Sequence, residues 1–152
     1  MNEATTLITL TGIDRPGITA ALFDLLADDE KTRVLDIEQV VIRGQLTLGA
    51  LISAPDDPLE LKRKLSELAT AKEVRISLSE GDIELPTRSE KSHLFVTVLS
   101  AELRPAALAR IAGNLADAGA NIERIVRIAA YPITAIEFEV SGAPIDLLQR
   151  TL

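Results

Sequence analysis

The residues best placed to do chemistry lie in one short stretch, Gly12-Ile13-Asp14-Arg15-Pro16-Gly17-Ile18-Thr19. An alternating apolar run precedes it and a helical apolar pattern follows it, so it reads as a turn that leaves a strand and feeds a helix. Such a turn aims unpaired backbone N–H groups outward, and the helix dipole favours a carboxylate in front of them. Gly12 and Gly17 have no Cβ and allow a ligand close to the backbone. Asp14 is available to pair with an ammonium group. The chemistry that fits is the holding of a small molecule. A plainer reading also accounts for these residues: Asp14 as an N-cap ahead of Pro16, and the glycines as parts of a tight turn.

No other constellation competes. Asp28-Asp29-Glu30 and Asp56-Asp57 are the nearest acidic clusters, and each falls at a helix end or turn, where carboxylates are favoured for their own sake. His93 is the only histidine and has no second histidine or cysteine with which to share a metal. The chain has no cysteine, which removes disulfides, thiolate catalysis and cysteine-ligated metals. A net charge of −7 argues against nucleic acid, whose phosphates need a basic face. No apolar run is long enough to cross a bilayer and no basic, apolar leader opens the chain, so no membrane partner and a cytoplasmic location are expected.

The elements that must hold the loop occur twice. Residues 6–11 alternate as a strand, Pro16 suits the first turn of a helix, and Ile18, Ala21, Leu22, Leu25 and Leu26 make one apolar stripe. Residues 34–43 and 46–54 read as a hairpin around Gly44-Gln45, both strands apolar enough to be partly buried on two faces. Pro58 opens a second helix with Leu61, Leu65 and Leu68 on one side, and Val74, Ile76 and Leu78 alternate in a fourth strand. From residue 93 the order restarts. Leu94-Phe95-Val96-Thr97-Val98 leads through Ser100-Ala101-Glu102 to a helix with Leu108, Ile111, Ala112 and Leu115 on one face, ended by Gly119-Ala120-Asn121. A hairpin around Tyr131-Pro132 follows, with Ile122-Glu123-Arg124-Ile125-Val126 answering to Ile37-Glu38-Gln39-Val40-Val41, and Pro144-Ile145 opens a last helix.

The order βαββαβ predicts an α+β chain of two tandem ferredoxin-like domains, 1–80 and 93–152, with a linker over 81–92. The second is expected to be truncated before its last strand. Four aromatic residues, three Phe and one Tyr, leave the cores to aliphatic side chains. Tandem small domains of this kind point to ligand sensing and assembly. Their open sheet edges, and a strand apolar at Val40, Val41 and Ile42, predict self-association.

The loop 11–18 resembles the strand-to-helix turn of ACT domains, the small amino-acid-sensing modules attached to metabolic enzymes. The strings Asp36-Ile37-Glu38-Gln39-Val40-Val41-Ile42-Arg43-Gly44-Gln45-Leu46-Thr47-Leu48-Gly49 and Tyr131-Pro132-Ile133-Thr134-Ala135-Ile136-Glu137-Phe138 resemble the tandem ACT region of actinobacterial-type phosphoserine phosphatases. That resemblance implies a regulatory region, dimeric, binding L-serine or glycine, of an enzyme in serine synthesis. Such phosphatases carry an Asp-x-Asp-x-Thr loop and Mg²⁺ in a catalytic domain. This chain has no such loop, so no cofactor is expected in it, and no phosphatase activity of its own.

The resemblance also implies ligand contact by Gly17, Ile18 and Thr19, with Gly12 and Asp14 beside them. In ACT pairs the ligand usually lies between this loop and the second strand of a partner domain. An asparagine often begins that strand. Asn121 takes that place in the second copy and Asp36 in the first, where a carboxylate would prefer an ammonium group. Ser100-Ala101-Glu102 departs from the Gly-x-Pro of related second loops. For Asn121 a turn-forming role after Gly119 stands beside the binding one. Three other readings remain open: a free-standing two-domain regulator of the glycine-cleavage-repressor type, an assembly module that binds nothing, and, least favoured because no constellation supports it, an enzyme complete within these residues.

Overall fold

The computed structural model describes residues 2–84 and 93–152, and the chain forms two compact units, Met1–Thr87 and Arg88–Leu152. The first is an antiparallel sheet with two helices on one face. Its strands β1 (Asn2–Ile13), β2 (Val34–Ile42), β3 (Gln45–Ser53) and β4 (Arg75–Glu84) lie in the order β2-β3-β1-β4. Helices α1 (Ile18–Leu26) and α2 (Pro58–Lys72) complete it. Alternate residues of the central strands, Ile8 and Leu10 with Leu46, Leu48, Ala50 and Ile52, meet Ile18, Leu22 and Leu26 of α1 and Leu61 and Leu65 of α2. The period of two in the strands and the 3.6 period in the helices turn these residues to one shared layer. Asp57 caps α2, accepting the Glu60 N–H at 3.0 Å, which is the role read for the acidic clusters.

The second unit repeats the plan. Strands β5 (Leu94–Ser100), β6 (Asn121–Ala129) and β7 (Thr134–Ser141) pair in the order β5-β7-β6, with α3 (Pro105–Asp117) and α4 (Ile145–Thr151). Leu115, Ile136, Phe138, Val140 and Leu148 form its core, with Leu108 and Ile111 packed against them. Its described residues thus form βαββα, with three strands to the first unit's four.

Several boundaries differ from the sequence reading. The first hairpin turns at Arg43-Gly44 rather than Gly44-Gln45, both residues having positive φ (49° and 78°), the backbone of a two-residue turn matched to strand twist. Strand β2 is not buried on two faces: only Leu35 is half-buried. Being an edge strand, β2 lies beyond the helix layer over β1 and β3. Strand β4 continues to Glu84, paired to Asn2, and the Thr5 hydroxyl donates to the Gly81 carbonyl at 3.0 Å. The strand therefore runs past the expected start of the linker, of which residues 85–92 lie outside the described residues.

Candidate functional site

The loop after β1 is held from three sides. The Asp14 N–H donates to the Gly44 carbonyl at 2.8 Å, tying the loop to the β2–β3 turn. The Arg15 guanidinium donates to the Glu73 carboxylate at 3.0 Å and to the Lys72 carbonyl at 2.5 Å, tying it to the end of α2. At Gly12 a Cβ would stand 2.8 Å from Val74 Cγ1 and 3.3 Å from Val74 Cα. The close approach permitted by this glycine is thus made by the protein's own buried Val74.

Helix α1 starts later than the sequence suggests. Its N-cap is Gly17, in the left-handed region at φ 87°, and no side chain caps it. Asp14 is therefore not the N-cap, and Pro16 lies in the turn ahead of the helix rather than in its first turn. The reason is the glycine itself, because a left-handed turn reverses the chain at little cost only without a Cβ. The first helical N–H to find an acceptor is that of Ala21, on the Gly17 carbonyl at 3.0 Å. The N–H groups of Ile18, Thr19 and Ala20 stand ahead of it at the positive end of the helix. The Ile18 side chain is 2% exposed in the core, so only its backbone is available to a ligand. Thr19 reaches the neighbouring strand: its hydroxyl donates to Gln39 Oε1 at 2.8 Å. Gln39 was not among the residues the sequence singled out. Its signal was its place in β2, opposite the buried Leu48 and so on the side that meets α1.

Asp36 is exposed on β2, where its carboxylate accepts the N–H of Ile37 at 2.8 Å. Its equivalence with Asn121 does not hold. Asn121 stands opposite Ser141. Opposite Ser53 stands Arg33, whose N–H donates to Ser53 Oγ at 3.0 Å and whose carbonyl accepts the Ser53 N–H at 2.9 Å. Bulges follow at matching points, between Val34 and Asp36 and between Ile122 and Arg124. The counterpart of Asn121 is Arg33, and that of Asp36 is Arg124. The similar spelling of the runs from Ile37 and Ile122 had aligned the copies three residues out of register. Asn121 itself donates to Glu123 Oε1 at 2.8 Å, and Ser141 donates to the same oxygen at 2.5 Å.

The second loop is closed by its own groups. Ser100 Oγ donates to the Glu102 carbonyl at 2.6 Å, and Arg104 holds the Glu102 carboxylate at 2.7 Å. Helix α3 begins at Pro105 after an extended Arg104, with no left-handed glycine.

The acidic clusters serve the fold. Asp29 accepts the Lys31 N–H at 3.0 Å and the Thr32 hydroxyl at 2.9 Å, which hold its carboxyl below the usual range. Asp28 pairs with Lys64 at 2.9 Å and Asp56 with Lys31 at 2.5 Å, raising both lysines. His93 Nδ1 lies 3.2 Å from the Glu139 carboxylate.

Two small α+β units, each an antiparallel sheet with helices on one face, define a tandem ferredoxin-like fold, and the first carries a glycine-capped helix start facing solvent. Profiles of the ACT domain match residues 4–79 and 91–150. The chain belongs to the ACT domain family. It is 41% identical over 150 residues to the phosphoserine phosphatase of Streptomyces coelicolor, a match covering 97% of this chain and 36% of that protein. It is 37% identical over 145 residues to phosphoserine phosphatase SerB2 of Mycobacterium tuberculosis, covering 93% and 35% respectively. The chain therefore spans about a third of the length of these curated relatives. Among solved structures, a putative glycine cleavage system transcriptional repressor superposes with a TM-score of 0.74 at 16% identity, over 97% of this chain and 86% of that one. At that identity the likeness is one of fold. No helix among the described residues is long and apolar enough to cross a membrane.

Proposed function

We propose that this chain is the regulatory region of a phosphoserine phosphatase, binding L-serine or a similarly small amino acid such as glycine, and acting as a homodimer in the cytoplasm. The observation that carries this is the 41% identity extending over 97% of the chain. ACT domains as a class bind small amino acids and often self-associate, and the chain contains two of them. In this reading the ligand carboxylate meets the N–H groups of Ile18 and Thr19, and its ammonium group meets Asp14. The Asp14 carboxylate has no hydrogen-bond or ion-pair partner among the described residues. Phosphate transfer and its Mg²⁺ belong to a catalytic domain outside these residues, and nothing in this chain is assigned to them.

The test is calorimetric titration of the pure chain with L-serine, glycine, L-alanine and L-leucine, alongside an assay of phosphate release from phosphoserine. The reading requires saturable binding of serine or glycine, none of leucine, and no phosphate release above a mock preparation. No heat from any small amino acid favours the assembly module. A free-standing two-domain regulator, which the fold likeness to the glycine-cleavage repressor accommodates, differs in having no catalytic sequence joined to it in the native protein.

A further inference from the structure

Four polar side chains are buried among the described residues: Thr5, Thr6, Ser53 and Ser141. Three of them are bonded. The Thr5 hydroxyl donates to the Gly81 carbonyl, Ser53 Oγ accepts the Arg33 N–H, and Ser141 donates to Glu123. Thr6 is the exception: it is 4% exposed, and its hydroxyl has no hydrogen-bond partner among the described residues. No fully enclosed side-chain oxygen or nitrogen among them is left unbonded, so the Thr6 hydroxyl opens into the cleft that it borders. That cleft, of about 360 Å³, lies in the first unit where β3 has ended and α2 begins, and Ala54, Pro55 and Pro58 wall it. It is on the first half of β1, whose other end leads into the Gly12–Thr19 loop.

Two carboxylates share the cleft with this hydroxyl. Glu80 stands opposite Thr6 in the register, and Asp82 stands opposite Ala4. Being alternate residues of β4, Glu80 and Asp82 are on one face of the sheet, about 7 Å apart along the strand. Both line the cleft, and neither has a hydrogen-bond or ion-pair partner among the described residues. Charge on an edge strand guards it against pairing, but that role calls for no unpartnered hydroxyl buried beside the charges. Hydroxyl and carboxylates together offer three acceptors. A primary ammonium has three N–H donors and no acceptor of its own. The proline and alanine walls suit methylene groups rather than the water shell that a hard metal ion retains, and the net charge of −7 draws cations to the chain.

We infer that this cleft binds the primary ammonium group of a small aliphatic amine, with the Thr6 hydroxyl, Glu80 and Asp82 as acceptors and the stem against Pro55 and Pro58. The site is separate from the first loop and stands whether or not that loop binds an amino acid.

Amide chemical-shift mapping of the full chain, titrated with n-butylammonium chloride at constant ionic strength, tests it. Saturable shifts at Thr6, Glu80, Gly81 and Asp82 are expected. Tetramethylammonium, which has no N–H, leaves them unmoved. Thr6→Val removes the hydroxyl at nearly constant shape and weakens binding at least about tenfold. It does so without lowering the thermal midpoint, because the hydroxyl bonds nothing in the fold. The double variant Glu80→Gln/Asp82→Asn, at two exposed positions, abolishes binding and decides the matter should Thr6→Val fail to fold. The inference is overturned by the absence of saturable shifts up to about 50 mM amine, or by equal shifts from tetramethylammonium or Mg²⁺. Unchanged affinity in a folded Thr6→Val, or in the double variant, overturns it too.

Discussion

Asp14, Gly17 and Gly12 sit within six residues of one another, yet they have three different reasons to be what they are. The Asp14 carboxylate makes no contact that the fold uses, so Asp14→Asn leaves the thermal midpoint unchanged. It lowers serine affinity at least tenfold, about 1.4 kcal/mol, by calorimetry; unchanged affinity removes Asp14 from the site. Gly17 has open space where a Cβ would go but a φ of 87°, so Gly17→Leu costs stability directly, by about 1–2 kcal/mol, as well as crowding the helix start. Denaturant midpoint and serine affinity measured on the same variant separate the two effects. Gly12→Ala overpacks Val74 and costs about 1–3 kcal/mol. Pairing it with Val74→Ala recovers part of that loss if Val74 is the obstacle, and none if it is not. The sequence made the loop and its glycines visible because turn chemistry is local. It did not separate Gly12 from Gly17, because the contact that constrains Gly12 comes from Val74, brought in by the sheet.

Helices and core strands were legible because their periods are strong. The stripes Ile18–Leu22–Leu26 and Leu61–Leu65 and the alternation through Leu46, Leu48, Ala50 and Ile52 all turn inward as their spacing demands. Strand β2 was misread for a physical reason: apolar content records what a strand offers to bury, whereas its edge position decides what covers it. At the helix ends, charge acts locally and titrates. The carboxyl groups of Asp29 and Glu60 are lowered on folding, the first by the Lys31 N–H and Thr32 hydroxyl, the second by Arg63. A group lowered on folding stabilises the native state above its unfolded pKa, and that contribution is lost as pH falls through the folded value. The first unit therefore loses stability in acid, below about pH 4. Asp29→Asn makes the loss shallower while lowering the midpoint at neutral pH. Equal acid slopes in variant and parent would show that the Asp29 turn does not report on folding.

At the scale of the whole molecule, the repeat was plain in the sequence and its register was not. Equivalent positions in the two units are fixed by cross-strand pairs and bulges, and these match Asn121 to Arg33 and Asp36 to Arg124. The loops diverge as well, with an open glycine-capped helix start in one unit and a Glu102–Arg104 pair closing the other. In the regulatory reading proposed above, these differences assign the amino acid to the first loop and leave the second without one. Amide chemical-shift mapping of the full chain, titrated with L-serine, tests that account most directly. It predicts saturable shifts centred on Gly17, Ile18 and Thr19, extending to Gln39 through the Thr19 hydrogen bond, with the Ser100–Arg104 loop unmoved. A titration that leaves Gly17, Ile18 and Thr19 unshifted, or that moves the second loop instead, contradicts it.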